Sequence, residues 1–340
     1  MANLITLADI QAAAARISGV AARTGLYGVE PERLRAAGVA ELPFVLYIKA
    51  ESEQPIGSFK LRGAYNRIAQ LSREELGRGV ITYSSGNHAQ GVAYAARGLG
   101  AKAAIVMPEN APEVKIDATR ALGAEVVFVG PASSERKLKA EELAAAHGYT
   151  IIPPYDDPAI IAGQATCGLE IVEQLGELDG GVVILSPVSG GGLLSGIATA
   201  VKLAIPEGAA VQVWGAEPEL AADAKESFDT RTLVEWPAAK TTRTISDGLR
   251  TQSVGVLNFE HILRYVDGIV TVSEDEILAA MQVMLAATGL VAEPSGAVTL
   301  AAALYHHGEL PACERMVAVL SGGNIEPELR RELDAKVASA

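Results

Sequence analysis

Short, continuously apolar runs rich in β-branched residues alternate along the chain with longer alanine-rich stretches. In those stretches apolar positions recur every three or four residues. The runs at 44–50, 80–83, 104–107, 126–129, 182–185, 211–214, 268–272 and 316–320 read as strands. The stretches at 88–97, 113–122, 135–147, 160–175, 193–203, 274–287, 297–306 and 327–337 read as helices. A strand that is apolar at every position must be covered on both faces, and a helix between successive strands supplies the crossover that parallel pairing needs. The pattern predicts an α/β protein of two open α/β domains with parallel twisted sheets. Residues 54–150 hold three or four compact strand–helix units and are expected to form a small domain. Residues 1–53 with 151–340 are expected to form a larger one. A ligand belongs in the cleft between them, at the carboxyl ends of the strands.

Composition narrows the function. Of 340 residues, 49% are hydrophobic and 20% charged, and the net charge is −13. That balance argues against nucleic acid as a partner and against an anionic membrane surface. Residues 180–201 carry no charge and are long enough to span a bilayer. They also contain repeated glycine and Pro187, so a strand–turn–helix unit is expected instead. Cys167 and Cys313 fit no metal spacing and no disulfide framework, and residues 1–16 lack a basic-then-apolar leader pattern. A cytoplasmic protein with reduced thiols is the expectation.

Candidate chemistry clusters just after predicted strands. Ser58 reads as a helix N-cap, which puts Lys60 in a first helical turn, where the macrodipole disfavours a cation and helps the amine lose its proton. A neutral amine is what a Schiff-base lysine must supply. Alone, the segment reads more readily as a solvated surface lysine. Three further turns follow strands: Ser84-Ser85-Gly86-Asn87-His88, Ser189-Gly190-Gly191-Gly192-Leu193 and Ser321-Gly322-Gly323-Asn324. Free backbone N–H groups at such turns form anion nests. Gly190-x-Gly192-x-x-Ser195 also approaches a dinucleotide fingerprint, with Glu217 after the next strand as a ribose ligand, but it lacks the third glycine. That alternative leaves Lys60 without a role. Glu217 and Asp223, with a backbone carbonyl between them, could bind a hard cation through oxygen.

Together these segments resemble the pyridoxal-phosphate-dependent serine/threonine dehydratase and serine racemase family, of the tryptophan-synthase-β fold type. The resemblance covers nearly the whole chain. It implies that Lys60, in Ser58-Phe59-Lys60-Leu61-Arg62-Gly63, is the Schiff-base lysine, with Phe59 beside the cofactor. It implies that Asn87 bonds the ring hydroxyl, and that Ser84, Ser85 and His88 surround the substrate carboxylate. Ser189, Gly190, Gly191, Gly192 and Leu193 would hold the phosphate, with Ser189 standing where the family usually has a first glycine. Ser321 would face the pyridine nitrogen, and the blocks containing Gly248 and Glu293 would line the cofactor. Glu217, the Ala221 carbonyl and Asp223 match the divalent-cation site of racemase-like members, for magnesium, manganese or calcium. Arg136 matches an arginine beside the active site of that branch, where it would suit a second substrate carboxylate.

The implied reaction eliminates water and ammonia from a β-hydroxy amino acid such as L-threonine, L-serine or 3-hydroxyaspartate, leaving a 2-oxo acid. Amino-acid racemisation, with Ser85 opposite Lys60, is the alternative within the family. A homodimer is expected. The length leaves no room for the C-terminal regulatory domain of longer biosynthetic threonine dehydratases, which implies a catabolic or racemase-like role.

Overall fold

The computed structural model describes residues 4–339 apart from 85, 110, 112, 131, 132 and 179. In chain order the described strands are β1 (Leu26–Gly28), β2 (Val45–Ala50), β3 (Val80–Tyr83), β4 (Ala103–Pro108), β5 (Glu125–Val129), β6 (Thr150–Ile151), β7 (Val182–Pro187), β8 (Val211–Pro218), β9 (Gly268–Val272) and β10 (Arg315–Leu320). They form a six-stranded sheet, β1-β2-β10-β7-β8-β9, and a four-stranded sheet, β5-β4-β3-β6. Every pairing is parallel except β1 with β2. The smaller sheet draws on residues 80–151 and the larger on 26–50 and 182–320.

The large sheet shows why its strands are apolar throughout. Leu46, Ile48, Val183, Leu185, Met316 and Ala318 pack into one core, while Val182, Ile184, Val211, Val213, Val317 and Val319 pack into another on the opposite face. Successive side chains on a strand point to opposite faces, so two covered faces require every position to be apolar. The helix Pro294–Tyr305, buried from Pro294 to Leu304, covers the first face, and the helix Gly192–Ala204 covers the second. Residues 180–201 split into β7 and the start of that second helix. No helix among the described residues is long and apolar enough to cross a membrane.

Two strands and several helices lie outside the predicted set. β1 and β6 are three and two residues long, too short to show a period. The helix Leu7–Ile17 opens with a capping box in which Thr6 Oγ1 accepts from the Asp9 N–H and Asp9 accepts from the Thr6 N–H. The helix Val256–Tyr265 has no side-chain cap of its own. Its first N–H groups are met by Asp156 from a distant loop, with Leu257 N at 2.9 Å and Val256 N at 3.1 Å.

Candidate active site

Lys60 is the first residue of the helix Lys60–Ile68, but Ser58 does not cap it. The cap position is Phe59, in helical conformation with no side-chain bond. Ser58 instead pairs with Gly322 in an isolated antiparallel bridge, Phe59 N donates to Ser321 O at 3.1 Å, and Gly323 N donates to Gly57 O at 2.9 Å. The backbone that would have entered a capping turn is thus stitched to the tip of β10, which sets Lys60 beside Ser321. Lys60 Nζ donates to the Pro154 carbonyl at 3.0 Å and lies 5.1 Å from the centre of the Phe59 ring. Burial lowers the amine to about 8, against the pull of the Glu293 carboxylate, which works to raise it.

The next residue after that carbonyl shapes the second turn. The ring of Tyr155 packs against Gly190 so tightly that a Cβ there would lie 2.4 Å from Tyr155 Cδ1. Gly191 sits at φ 89°, open to glycine, and Ser189 takes φ 56°, which is costly for a residue with a side chain. The Ser189 hydroxyl is 3.1 Å from that of Thr251. The Gly190 carbonyl is turned aside, accepting from Asn258 Nδ2 at 2.9 Å and Gly255 N at 3.1 Å. The loop then runs into the start of the helix Gly192–Ala204, whose first N–H groups have no intrahelical acceptor. A glycine-floored loop with the Gly190 carbonyl turned aside, leading into the N–H groups of a helix start, fits a phosphate.

The remaining groups converge between these turns. Asn87 Nδ2 donates to Glu293 Oε1 at 2.6 Å, and Asn324 Nδ2 donates to Asn87 Oδ1 at 2.7 Å. Burial, with Asp247 nearby, pushes the Glu293 carboxyl up to about 8. Gly248 N donates to Ser295 Oγ at 2.9 Å, and Ser321 Oγ donates to Ser295 O at 3.4 Å. Ser84 Oγ accepts from Gly86 N at 3.3 Å, while Ser85 lies outside the described residues. His88 is buried with one ring nitrogen, Nε2, 3.1 Å from the Ile152 carbonyl. A carbonyl only accepts, so Nε2 carries the proton and Nδ1 is a bare acceptor with no partner. Burial, and then Lys60, lower this imidazole to about 3, so it stays neutral.

Arg136, on the helix Ser133–His147, is half-buried, and its Nε is buried without a partner. Three members of the site carried no clear sequence signal. Tyr155 is hidden in a Pro-Pro-Tyr-Asp-Asp turn, Thr251 in a loop, and Lys115 on the helix Glu113–Ala121, from which it pairs with Asp247 and, at 3.6 Å, with Glu326.

Glu217 and Asp223 are each 1% exposed, and Ala221 between them is buried as well. Glu217 Oε2 accepts from Lys225 N at 3.0 Å, but Glu217 Oε1 and both carboxylate oxygens of Asp223 have no partner. Burial pushes both carboxyls up, Glu217 also because Asp223 is beside it. Three orphaned oxygens in one buried place fit a hard cation. Among the described residues no group of three or more His, Cys, Asp or Glu side chains gathers at all, and this loop offers two carboxylates and a backbone carbonyl. Such burial also takes Glu217 away from any ribose hydroxyl that a nicotinamide site would present.

Known proteins resemble this chain over most of its length. The family profile described as "Pyridoxal-phosphate dependent enzyme" matches residues 24–322. The L-threo-3-hydroxyaspartate ammonia-lyase of Saccharomyces cerevisiae is 40% identical over 281 residues, 83% of each chain. The serine racemase of Schizosaccharomyces pombe is 38% identical over 328 residues, 96% of this chain and 97% of that one. The crystal structure of a threonine deaminase from the organism abbreviated T.th. superposes with a TM-score of 0.86 at 43% identity, covering 95% of this chain and 99% of that one.

Proposed function

The chain belongs to the pyridoxal-phosphate dependent enzymes, and on that premise we propose that its substrate is a β-hydroxy amino acid bearing a second carboxylate, of the 3-hydroxyaspartate kind. The enzyme is a pyridoxal-phosphate-dependent ammonia-lyase of the serine/threonine dehydratase type. The observation that supports the elimination is Lys60, an amine poised near neutrality at the mouth of the phosphate cradle. Bound pyridoxal phosphate supplies an electron sink next to the substrate Cα.

The chain's own groups do the rest. The N–H groups of Ser189, Gly190, Gly192 and Leu193, with the Ser189 hydroxyl, would hold the phosphate, while Gly191 N is already given to the Val188 carbonyl at 3.1 Å. Asn87, fixed by Glu293 and Asn324, would meet the ring hydroxyl, and the neutral Ser321 hydroxyl would meet the pyridine nitrogen. Phe59, Gly248 and Glu293 line the ring. Ser84, Ser85 and the backbone leading to His88 bind the substrate carboxylate. The Lys60 amine takes the Cα proton. A neutral hydroxyl, and no carboxylate, would stand at the pyridine nitrogen, so the bound group would supply a weaker electron sink, which would favour prompt elimination over long-lived carbanion chemistry.

Arg136 supports the choice of substrate. In a chain of net charge −13, a half-buried guanidinium with no acidic partner among the described residues is kept for an anion that arrives with the ligand. A cation such as magnesium, manganese or calcium would bind Glu217, the Ala221 carbonyl and Asp223, bracing the loop after β8. Cytoplasmic location and a homodimer complete the reading, and two free cysteines suit a reducing compartment. Racemisation stays the second reading, because the serine racemase relative matches 96% of the chain.

The test is a screen of β-hydroxy amino acids for 2-oxo acid release, run on the parent and on Arg136→Met. Loss of a charge-assisted pair is worth about 1.5–3 kcal/mol, so kcat/KM for 3-hydroxyaspartate should fall roughly 10- to 100-fold while threonine is unaffected. Equal loss on both substrates would remove Arg136 from the specificity argument.

A further inference from the structure

Two residues beyond Lys60, Arg62 is fully buried and every donor of its guanidinium is engaged. Nε and Nη2 form a fork on Glu51 at 2.7 and 2.8 Å. Nη1 and Nη2 form a second fork on Glu170 at 2.7 and 2.8 Å. Nη1 also reaches Thr166 Oγ1 at 3.0 Å, and Nη2 reaches the Ala22 carbonyl at 3.2 Å. Lys49 completes the group, donating to Glu170 at 2.6 Å, to Thr24 O at 2.9 Å and to Gln174 at 3.0 Å. Glu51 further accepts from Thr24 Oγ1 at 2.6 Å and Gln54 Nε2 at 3.1 Å. Two cations and two anions make a neutral quartet. Burial works to raise the Glu51 carboxyl, but Arg62 and Lys49 hold it at about 2.

A buried ion cluster is a poor way to gain stability, since apolar groups of the same shape do as well or better. What it adds is direction: a planar guanidinium gripped along two edges can neither slide nor rotate. The neighbouring packing shows why direction is needed. The helix Lys60–Ile68 meets the helix Pro158–Leu175 through glycines, and a Cβ on Gly163 would fall 2.6 Å from Gly63 Cα. Backbones that meet this closely leave few side chains to index rotation about the helix axis; beside Arg62 the contact is held by Gln164 Oε1, which accepts from Gly63 N at 3.2 Å, and by Asn66 Nδ2 on the Ala159 carbonyl at 2.6 Å. At about 100° per residue, Arg62 points roughly opposite Lys60. The grip is therefore on the back of the helix and Lys60 is on the front. Its acceptors belong to the large lobe, Glu51 just past β2 and Glu170 on the helix Pro158–Leu175.

We propose that Arg62, clamped between Glu51 and Glu170, is a positioning residue that sets the direction of the Lys60 amine relative to the phosphate cradle. The proposal rests on Lys60 being the cofactor lysine. Its test is Arg62→Lys in the holoenzyme, which keeps the buried charge and loses both forks. Expected are parent-like circular dichroism and a single melting transition. The pH midpoint of the visible absorption band should shift, and kcat per folded molecule should fall about 10- to 100-fold, as misplacement of a reacting group by an ångström does, with KM nearly unchanged.

A merely structural role would lower the melting temperature and leave the band's midpoint and kcat per folded molecule at parent values, and that result would overturn the proposal. Should Arg62→Lys fail to fold, Glu170→Gln, which removes one fork and keeps the shape, must show the same two changes in smaller measure. Parent behaviour in a folded Glu170→Gln would then overturn it. Borohydride labelling separates the two failures. Label on a lysine other than Lys60 ends the underlying reading, whereas label on Lys60 with parent kinetics in the variants ends this inference alone.

Discussion

Replacing Gly190 by alanine tests whether the phosphate cradle is rigid. The new Cβ would stand 2.4 Å from Tyr155 Cδ1 and 2.5 Å from its Cγ, where ordinary contact begins at 3.4 Å. The strain is an overlap of about 1 Å against a ring that cannot swing away. Its neighbours Pro154 and Asp156 are tied to Lys60 and to the start of the helix Val256–Tyr265, at 3.0 and 2.9 Å. Overpacking of this size costs about 1–3 kcal/mol. An empty loop can relax and a loop closed on a phosphate cannot, so the cost falls on the bound state. Cofactor affinity should weaken roughly 5- to 150-fold. Titration of the visible band with pyridoxal phosphate, backed by equilibrium dialysis, measures this directly. Adding Tyr155→Ala should restore most of the affinity, because the penalty belongs to the pair. Gly190→Ala binding within about twofold of the parent, below the resolution of such comparisons, would refute the rigid cradle.

Three other outcomes are expected. Chelation should lower the thermal midpoint and magnesium, manganese or calcium should restore it, by roughly 2.7 kcal/mol at a hundredfold excess over Kd; an Asp223→Ala protein that responds as the parent does would remove the cation from that loop. The rate at which cofactor-free protein captures pyridoxal phosphate should rise with pH and level off above about 8, because only the neutral Lys60 amine attacks and burial disfavours its charged form; a midpoint near the ordinary lysine value of 10.5 would contradict it. Ser85→Ala should abolish any racemisation while elimination survives with substrates whose Cα proton faces Lys60, since each face of Cα needs its own proton carrier; equal retention of both reactions would make Ser85 a loop residue only.

The strands of the large sheet were legible because burial on both faces forces apolar residues at every position; β9 occupies the residues expected of it, as β3 does in the small sheet. Boundaries slipped where chemistry overrides propensity. β8 runs on through Glu217 to Pro218, past the apolar run that marks it in the sequence. Ser58 has the right side chain for a cap, but nothing local reveals that Gly322 and Ser321 claim its backbone and the next. Tyr155 and Lys115 were silent for the same reason: their roles come from partners about 35 and 130 residues away in sequence, Gly190 and Asp247. The motifs at Asn87, Ser189–Leu193 and Ser321 were readable because each closely follows a parallel strand, where α/β sheets place ligands, while Lys60 stands farther past β2 at the start of its helix.

The pairing of β2 with β10 has a consequence for synthesis on the ribosome. Val45–Ala50 lies alongside Arg315–Leu320, and the bridge from Ser58 to Gly322 continues the seam. An early strand must therefore wait for one of the last segments translated before its second edge is covered. Contacts of such sequence separation form slowly and leave apolar strand edges open in the interval. Chains released before about residue 324 would carry Lys60 but could not orient it, and they should be bound by chaperones or degraded instead of showing partial activity. Late assembly of the lysine's seat also means that a nascent chain offers the cofactor no competent amine until its sheet is complete.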